Sequence, residues 1–390
     1  AELIRRGALD TFEDIRPYRD EELPAVLKRL PNNELLISTV RMIAWPGCPD
    51  FLSTPVNFLV RLMLKRKLGK ISSIDEFQVK IVGDLLLNWV ISHSIDKLSS
   101  SGLENLSQDR SYIFISNHRD IVLDSALLNY TLHHAGHKVP YIAFGDNLLI
   151  NELVSDLIRI NKAFIVKRDL SPREQLKALK HLSSYIKYIQ SEGNHFWIAQ
   201  REGRAKDGID TTNPAIIKMF YLSERKTQPD FSAFVKSRNI VPVAVSYEKD
   251  PCDRIKGWEL YRKQKIGEHK KRKTEDLISM AAGISGQKGR VHIAFGKPLD
   301  NDYQNEKEVA QAVDEAIHHQ YRLWPCNFIA HDVISGAETY RNEYNSTEKE
   351  QFLSPYDNLI PEVRDVVLQC FSNPVTSRDA ECPTPIQSTR

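Results

Sequence analysis

The sequence contains no run of about 18 consecutive apolar residues, the length at which a helix can cross a bilayer. It has few cysteines, and their scattered positions favour neither a disulfide framework nor a zinc site: Cys48, Cys252, Cys326, Cys370 and Cys382. It has no large excess of charge of one sign, because the formal net charge is +2, and a nucleic-acid partner is therefore not expected. These absences favour a cytoplasmic protein whose contact with a membrane is peripheral.

The 390 residues, 41% of them apolar, are typical of a soluble globular protein with two or three domains. The helical pattern and repeated prolines of 1–100 predict a helical N-terminal cap that docks on a membrane. The domain that carries the chemistry is expected over 101–325. We expect 326–390 to be a C-terminal extension that is partly loosely ordered, because its later part is rich in Pro, Ser and acidic residues.

Residues 56–70 contain no acidic residue and combine basic side chains with apolar ones. A helix of this kind can lie in the interface of an anionic bilayer, here on its inner face. The commoner structure for such a run is an amphipathic helix whose basic face is in water. A second basic run, 262–273, is either a solvated loop or a patch for anionic lipid or an acidic carrier protein.

From about residue 100 onward, apolar runs of strand length alternate with segments of helical periodicity. Strands are predicted at 112–115, 139–144, 163–166, 195–199, 240–247 and 290–295. Helices are predicted around 124–137, 152–160 and 307–323, and after Ser171, where Pro172 and Glu174 complete a capping box. This alternation predicts an α/β fold with a mixed, largely parallel sheet flanked by helices.

His118 directly follows the first of these predicted strands, and Asp124 lies six residues further on. A histidine can take up and return a proton near neutral pH, and a nearby carboxylate can orient its ring and stabilise its cation. Such a pair can activate a hydroxyl group. The alternative is a strand-end histidine bonded to backbone and an aspartate on a helix surface.

Three further clusters of residues lie at the ends of predicted strands. Lys167 and Arg168 follow one strand, the segment 201–208 with its arginines and glycines follows another, and Pro242 lies near the start of a third. Ligands of open α/β sheets bind outside the carboxyl ends of strands, so the basic residues are candidate ligands of a phosphate. Gly203 and Gly208 permit a tight turn there.

Together these four clusters resemble the glycerolipid acyltransferase superfamily over about residues 105–300. Asn117, His118 and Asp124 are similar to its first block, Asn-His-x4-Asp. The second and fourth blocks resemble the segments 163–168 and 240–243. Glu202-Gly203-Arg204 is similar to the third block, Glu-Gly-x-Arg.

Two spacings differ from the family pattern. The family's aspartate stands five positions after the histidine, where this chain has Leu123, and Arg204 follows Gly203 without the intervening residue. Asp124 and Arg204 are the favoured matches. A subfamily in which both spacings changed together explains the two shifts better than the loss of both sites would. Asp120 and Lys206 are the alternatives.

The resemblance implies a glycerol-3-phosphate acyltransferase-like fold and transfer of a fatty acyl chain from an acyl-carrier-protein or coenzyme A thioester to a glycerophosphate-type hydroxyl in phospholipid synthesis. His118 would be the general base and Asp124 its partner. Arg168, Arg204 and Lys206 would bind the acceptor phosphate, and Glu202 and Gly203 would orient the acceptor. Asn117 and Pro242 would form the pocket wall. No metal or bound cofactor is implied, since the thioester is a cosubstrate.

The most favoured acceptor is 1-acyl-glycerol-3-phosphate, and the alternatives are glycerol-3-phosphate itself or an amino lipid. A different class of function is a lipid-binding protein that keeps the fold without catalysis, which the two shifted spacings motivate. The intact His118 and a nearby acidic residue argue against that alternative. A metal site at His133, His134 and His137 has little support, because no cysteine or acidic residue accompanies them.

Overall fold

The structure is a computed structural model that describes residues 11–45, 47–149, 151–168, 170–267 and 275–381. Its helices are α1 Leu23–Arg29, α2 Glu34–Ala44, α3 Asp50–Leu68, α4 Ile74–Phe77, α5 Asn88–Ser94, α6 Leu123–His134, α7 Glu152–Ile160, α8 Pro172–Ser191, α9 Pro214–Tyr221, α10 Phe231–Arg238, α11 Asp253–Ile266, α12 Glu275–Ser285, α13 Glu306–Gln320, α14 Pro325–Ser335, α15 Ser346–Leu353 and α16 Pro361–Glu381. Its strands are β1 Ile95–Ser101, β2 Ile113–Ser116, β3 Tyr141–Gly145, β4 Ala163–Val166, β5 Phe196–Ala199, β6 Ile240–Tyr247 and β7 Gly289–Phe295.

The chain forms two compact units, one of residues 1–89 and 138–196 and the other of residues 90–137 and 197–390. The expected boundaries near residues 100 and 325 stay a prediction.

In the first unit, the N-terminal helices share an apolar core with α7 that includes Leu23, Ile37, Leu64 and Ile160. Between α4 and α5, residues Gln78–Leu87 form a π-helix, whose turns are wider than those of an α-helix. Strands β3 and β4 pair in parallel. Helix α8 begins with the predicted capping box of Ser171 and Glu174.

In the second unit, the strand order is β1-β7-β6-β2-β5. β1 pairs with β7 and β2 pairs with β6 in parallel, whereas β6 and β7 are antiparallel. The apolar strand β6 is buried along its whole length, as expected for a strand in the middle of a covered sheet. The predicted fold class, a mixed and largely parallel sheet flanked by helices, is confirmed.

The predicted strands did not include one strand of this unit. Residues 95–101, at the end of the predicted helical region, form strand β1, whose Ser99 and Ser101 hydroxyls contact the His292 ring of β7. Residues 325–381 form packed helices, and Val367 and Leu368 share an apolar core with Trp324. The remaining 382–390 and half of the basic run 262–273 lie outside the described residues.

Candidate functional site

Strand β2 ends at Ser116, so the next two residues lie at the carboxyl end of this strand in the second unit. The Asn117 side chain is fully buried and bonds in both directions to the backbone of Val245, accepting from its N–H at 2.8 Å and donating to its carbonyl at 3.0 Å. These bonds extend the attachment of β2 to β6 by one residue. His118 therefore emerges from a rigid segment.

His118 and Asp124 are in direct contact. His118 Nδ1 lies 2.8 Å from Asp124 Oδ2, and the His118 side chain is 15% exposed while that of Asp124 is fully buried. A carboxylate only accepts hydrogen bonds, so this contact places the ring proton on Nδ1 and leaves Nε2 as the basic nitrogen. The wider spacing of the first block thus still brings base and carboxylate together.

Asp124 is held by backbone as well as by the ring. Its Oδ2 accepts from the N–H groups of Arg119 at 2.6 Å and Asp120 at 3.0 Å, because the segment after His118 folds back over the first turn of α6. Hydrogen bonds to the ionised form stabilise a buried carboxylate. The backbone therefore fixes the position of the Asp124 carboxylate beside the histidine.

Asp120, the alternative partner, has a different role. Its Oδ1 accepts from the N–H groups of Val122 at 2.9 Å and Leu123 at 2.8 Å, which caps the start of α6. Burial and the neighbouring Asp124 raise the pKa of Asp120 above its ordinary value. The structure thus pairs His118 with Asp124 and uses Asp120 as a helix cap.

Tyr247, at the end of β6, is a site residue that the sequence reasoning missed. Its hydroxyl donates to Asp124 Oδ1 at 2.9 Å. Burial, followed by the charges of Asp124 and Asp120, raises the pKa of Tyr247 well above its ordinary value, so the phenol keeps its proton for this bond. The signal in the sequence is a polar residue at the end of the strand that the fourth block opens.

The loop that follows β5 meets the first block. The His118 carbonyl accepts from the Ala205 N–H at 2.8 Å. The Arg119 guanidinium donates to the carbonyls of Ala205 at 2.9 Å and Gly208 at 3.2 Å, and it forms an ion pair with Asp210 at 2.6 Å. Hydrogen bonds to backbone groups therefore connect the first and third blocks, which are far apart in sequence.

The Arg119 to Asp210 pair is buried, and this predicts a large effect on stability. Asp210→Ala leaves the guanidinium buried without its counter-charge, so the free energy of unfolding should fall by about 3 to 5 kcal/mol. Urea denaturation measures this change. The matched control is Asp302→Ala, which breaks an exposed pair with Lys236 and should cost less than about 1 kcal/mol. Equal effects of the two substitutions would contradict the role of the buried pair.

The third-block residues lie on the loop between β5 and α9. The Nη1 atom of Arg204 is buried and has no hydrogen-bond partner among the described residues, which is costly for a cationic donor unless a ligand occupies the site. Gly203 has a φ of +72°, a conformation that favours glycine, and Glu202 is exposed beside it.

Lys206 is already paired in this structure. Its ammonium forms an ion pair with Glu259 of α11. Burial lowers the pKa of Lys206, and the contact with Glu259 opposes that shift. The lysine is therefore less available to a ligand than Arg204 is.

Arg168 belongs to the first unit, where it follows β4. Its guanidinium packs against Gly145 at the end of β3, since a Cβ there would lie 2.8 Å from Arg168 Cζ. The Arg168 N–H donates to Asp146 at 3.3 Å. The structure thus places this arginine at the carboxyl ends of the parallel strands β3 and β4, as the sequence predicted.

The two predicted pocket-wall residues are interior residues of the sheet. Asn117 is fully buried, and its side-chain amide donates a hydrogen bond to the Val245 carbonyl. Pro242 is buried within β6 opposite Ile115 of β2, and its carbonyl accepts from Gly296. Both side chains hold strands in place and do not face a cavity that the second unit forms around Arg119 and Lys206.

The described residues hold no group of three or more His, Cys, Asp or Glu side chains arranged to bind a metal ion. Within those same parts of the chain, no helix has the length and apolar character needed to cross a membrane. The arrangement at His118 is an imidazole whose Nδ1 contacts a buried carboxylate, with the guanidinium of Arg204 on the adjoining loop. Such a set can deprotonate a hydroxyl of a ligand that carries an anionic group.

Comparisons with known proteins find similarity to acyltransferases. Residues 97–246 match the family model described as Acyltransferase. Dihydroxyacetone phosphate acyltransferase of Bos taurus is 26% identical over 275 residues, which are 65% of this chain and 38% of that protein. Glycerol-3-phosphate acyltransferase of Baumannia cicadellinicola subsp. Homalodisca coagulata is 26% identical over 230 residues, which are 56% of this chain and 26% of that protein.

A solved structure, the 1-acyl-sn-glycerophosphate acyltransferase of Thermotoga maritima, aligns with a TM-score of 0.39 and 17% identity over 76% of this chain and 94% of that one. The chain spans less than two fifths of the length of the bovine relative, 38%. The family match includes the first and third blocks and most of β6, and it ends one residue before Tyr247.

Proposed function

We propose that the chain is a member of the glycerolipid acyltransferase superfamily and that it transfers a fatty acyl chain from a thioester to a hydroxyl of a glycerophosphate-type acceptor in phospholipid synthesis. The observation that carries the proposal is the contact between His118 and Asp124 within the matched segment. The donor is an acyl-carrier-protein or coenzyme A thioester, used as a cosubstrate. The reaction needs no bound cofactor or metal.

His118 acts as the general base of this reaction. Its Nε2 takes the proton of the acceptor hydroxyl while Asp124 stabilises the imidazolium through Nδ1. The acceptor oxygen attacks the thioester carbonyl and forms a tetrahedral oxyanion. When the C–S bond breaks, the imidazolium returns its proton to the departing thiolate, so an ester and a free thiol are the products.

The acceptor phosphate is bound by Arg204, whose buried Nη1 atom then gains an acceptor. Arg168, in the first unit, stays a predicted phosphate ligand by its match to the second block. Lys206 assists only if its ammonium exchanges Glu259 for phosphate. Glu202 and Gly203 orient the acceptor, as the third block implies.

The names of the relatives refine the choice of acceptor. The bovine and Baumannia proteins are named for acylation of dihydroxyacetone phosphate and of glycerol-3-phosphate. These names favour an acceptor without an acyl chain, glycerol-3-phosphate or dihydroxyacetone phosphate, over the 1-acyl-glycerol-3-phosphate that the sequence first suggested. All of them have a three-carbon skeleton with a phosphate and a free hydroxyl, which the proposed site requires.

The proposed function is tested with purified protein, acyl-coenzyme A or acyl-carrier protein, and each of the three acceptors in turn. Thiol release is followed in real time, and the acylated product is identified by its mass. The expected result is acceptor-dependent thiol release with an equal amount of ester. Background release with every pair, combined with lipid binding, would instead support a non-catalytic lipid-binding protein.

We also propose that the first unit docks on the inner face of an anionic membrane through a surface that we call the α2/α3 face. Its exposed apolar side chains are Leu35, Met42, Trp45, Phe51, Phe58, Leu59 and Leu62. Basic residues Lys65, Arg66 and Lys67 end α3. Exposed apolar groups beside lysines and arginines favour an interface in which both acyl chains and anionic headgroups are present.

Removing apolar side chains from the α2/α3 face should weaken membrane binding. Phe58 is 63% exposed and Leu62 is 55% exposed. Phe58→Glu and Leu62→Glu should each lower the affinity for phosphatidylcholine/phosphatidylglycerol vesicles at least about 10-fold, since burial of one such side chain contributes about 1.5 to 3 kcal/mol. Vesicle flotation measures the change. Leu277→Glu, at an exposed leucine of the second unit, should float as the native protein does; equal flotation of all variants would refute the proposal.

A further inference from the structure

The loop of residues 203–210 carries Arg204, so its position decides where an acceptor phosphate is held. On one side it is fixed to the first block by the bond from Ala205 to the His118 carbonyl and by the Arg119 guanidinium. These bonds restrain Ala205, Gly208 and Asp210. Backbone bonds within the loop and the pair of Lys206 with Glu259 hold the stretch between them, and the Asp207 carbonyl is bonded from a further direction.

Helix α16 contacts the loop there, and it lies outside the matched segment 97–246. The Asn373 side chain donates from Nδ2 to the Asp207 carbonyl at 2.7 Å. Gln369, one turn earlier, donates to Asn373 Oδ1 at 2.6 Å and so fixes the orientation of the amide. A side chain of the C-terminal helix is thus bonded to the backbone of the Arg204 loop.

A second contact supports the first. Pro374 lies inside α16 and has no N–H to donate to the carbonyl four residues earlier, that of Cys370. Gly208 packs against this carbonyl, because an added Cβ would lie 2.1 Å from Cys370 O. The φ of Gly208 is +80°. Glycine is therefore required at this position both for the backbone conformation and for the close approach to α16.

Helix α16 is itself held rigidly within the second unit. Asn327 of α14 donates to the Phe371 carbonyl at 2.9 Å. Gly257 of α11 lies so close that an added Cβ would be 2.4 Å from a methyl group of Val367. A helix anchored on two sides can transmit a fixed position to the loop that it contacts.

We propose that α16 is part of the acceptor-binding machinery, with Asn373 as a positioning residue that sets the Arg204 loop for the acceptor phosphate. This inference rests on the proposed function. Asn373 does not touch the acceptor; it acts through the Asp207 carbonyl and the backbone that carries Arg204. The C-terminal helices therefore contribute to recognition of phosphate and not to the proton transfer at His118.

The test compares kinetic constants of the full chain with a phosphorylated acceptor and with a phosphate-free alcohol, monoacylglycerol. Asn373→Ala should raise the KM for the phosphorylated acceptor about 5- to 10-fold, the equivalent of one lost hydrogen bond. The KM for the thioester and the rate with monoacylglycerol should stay within about two-fold of the native values. Gly208→Ala should change the same constant in the same direction and by more.

Two further variants keep the test decisive. Asn373→Asp has the same shape but has no donor for the Asp207 carbonyl, and it should behave as Asn373→Ala does. Thr376→Ala, at an exposed residue of the same helix, should leave every constant unchanged. A uniform loss of activity toward both acceptors, or an unchanged acceptor KM in Asn373→Ala and Asn373→Asp, would overturn the inference. An inactive native protein would instead refute the proposed function.

Discussion

His118→Ala should abolish acyl transfer, with a loss of kcat of roughly 10³-fold, within the usual contribution of a positioned general base. The imidazole is the group whose basic nitrogen faces away from the buried carboxylate, so no other side chain of the first block can replace it. The acceptor KM should change little, because the alanine removes a proton acceptor and not a phosphate ligand. Thiol release under saturating acceptor and thioester measures the effect.

The matched control for this prediction is His133→Ala, which removes an exposed histidine from α6. It should retain native activity within about two-fold, as expected for an exposed side chain remote from the chemistry. Circular dichroism and the urea midpoint establish that His118→Ala is folded. A folded His118→Ala protein with undiminished acyl transfer would show that another group is the base.

Arg204→Ala should raise the KM for the phosphorylated acceptor by about 10- to 100-fold, because a hydrogen bond between charged groups contributes about 1.5 to 3 kcal/mol. The buried Nη1 atom has no partner in the described part of the chain, so its removal costs no bond seen there. Stability should therefore stay close to native while acceptor binding weakens. Steady-state kinetics with varied acceptor and fixed thioester measure the KM.

Arg225→Ala is the control for the charge change, because Arg225 is exposed in the same unit. It should leave the acceptor KM unchanged. The rate with monoacylglycerol should be the same in Arg204→Ala and in the native protein, since that acceptor has no phosphate. If Arg204→Ala weakens both acceptors equally, the arginine supports the loop and does not bind phosphate.

The sequence predicted the parts of this site that are local in the chain. Periodicity located β4 and α7, and the block pattern identified His118 and Arg204 before any geometry was known. The preference for Asp124 over Asp120 agrees with the observed contact. Local patterns suffice here because a strand end and the following helix start fix the relative positions of residues six apart.

The parts that the sequence did not reveal depend on long-range packing. Tyr247 reaches Asp124 only because β6 lies beside β2, and Asn373 reaches Asp207 only because α16 packs beneath the loop. Strand β1 was missed because its serines give no apolar alternation, although it pairs with β7 along its length.

The most direct test of the central claim, that His118 and Asp124 are the catalytic pair, is a comparison of kcat for Asp124→Asn and Asp120→Asn. Asp124→Asn removes the charge that stabilises the imidazolium and should lower kcat by roughly 10²-fold or more. Asp120→Asn keeps an oxygen that can cap α6 and should lower kcat by less than about five-fold. The reverse order, with Asp120→Asn the more damaging, would contradict the account.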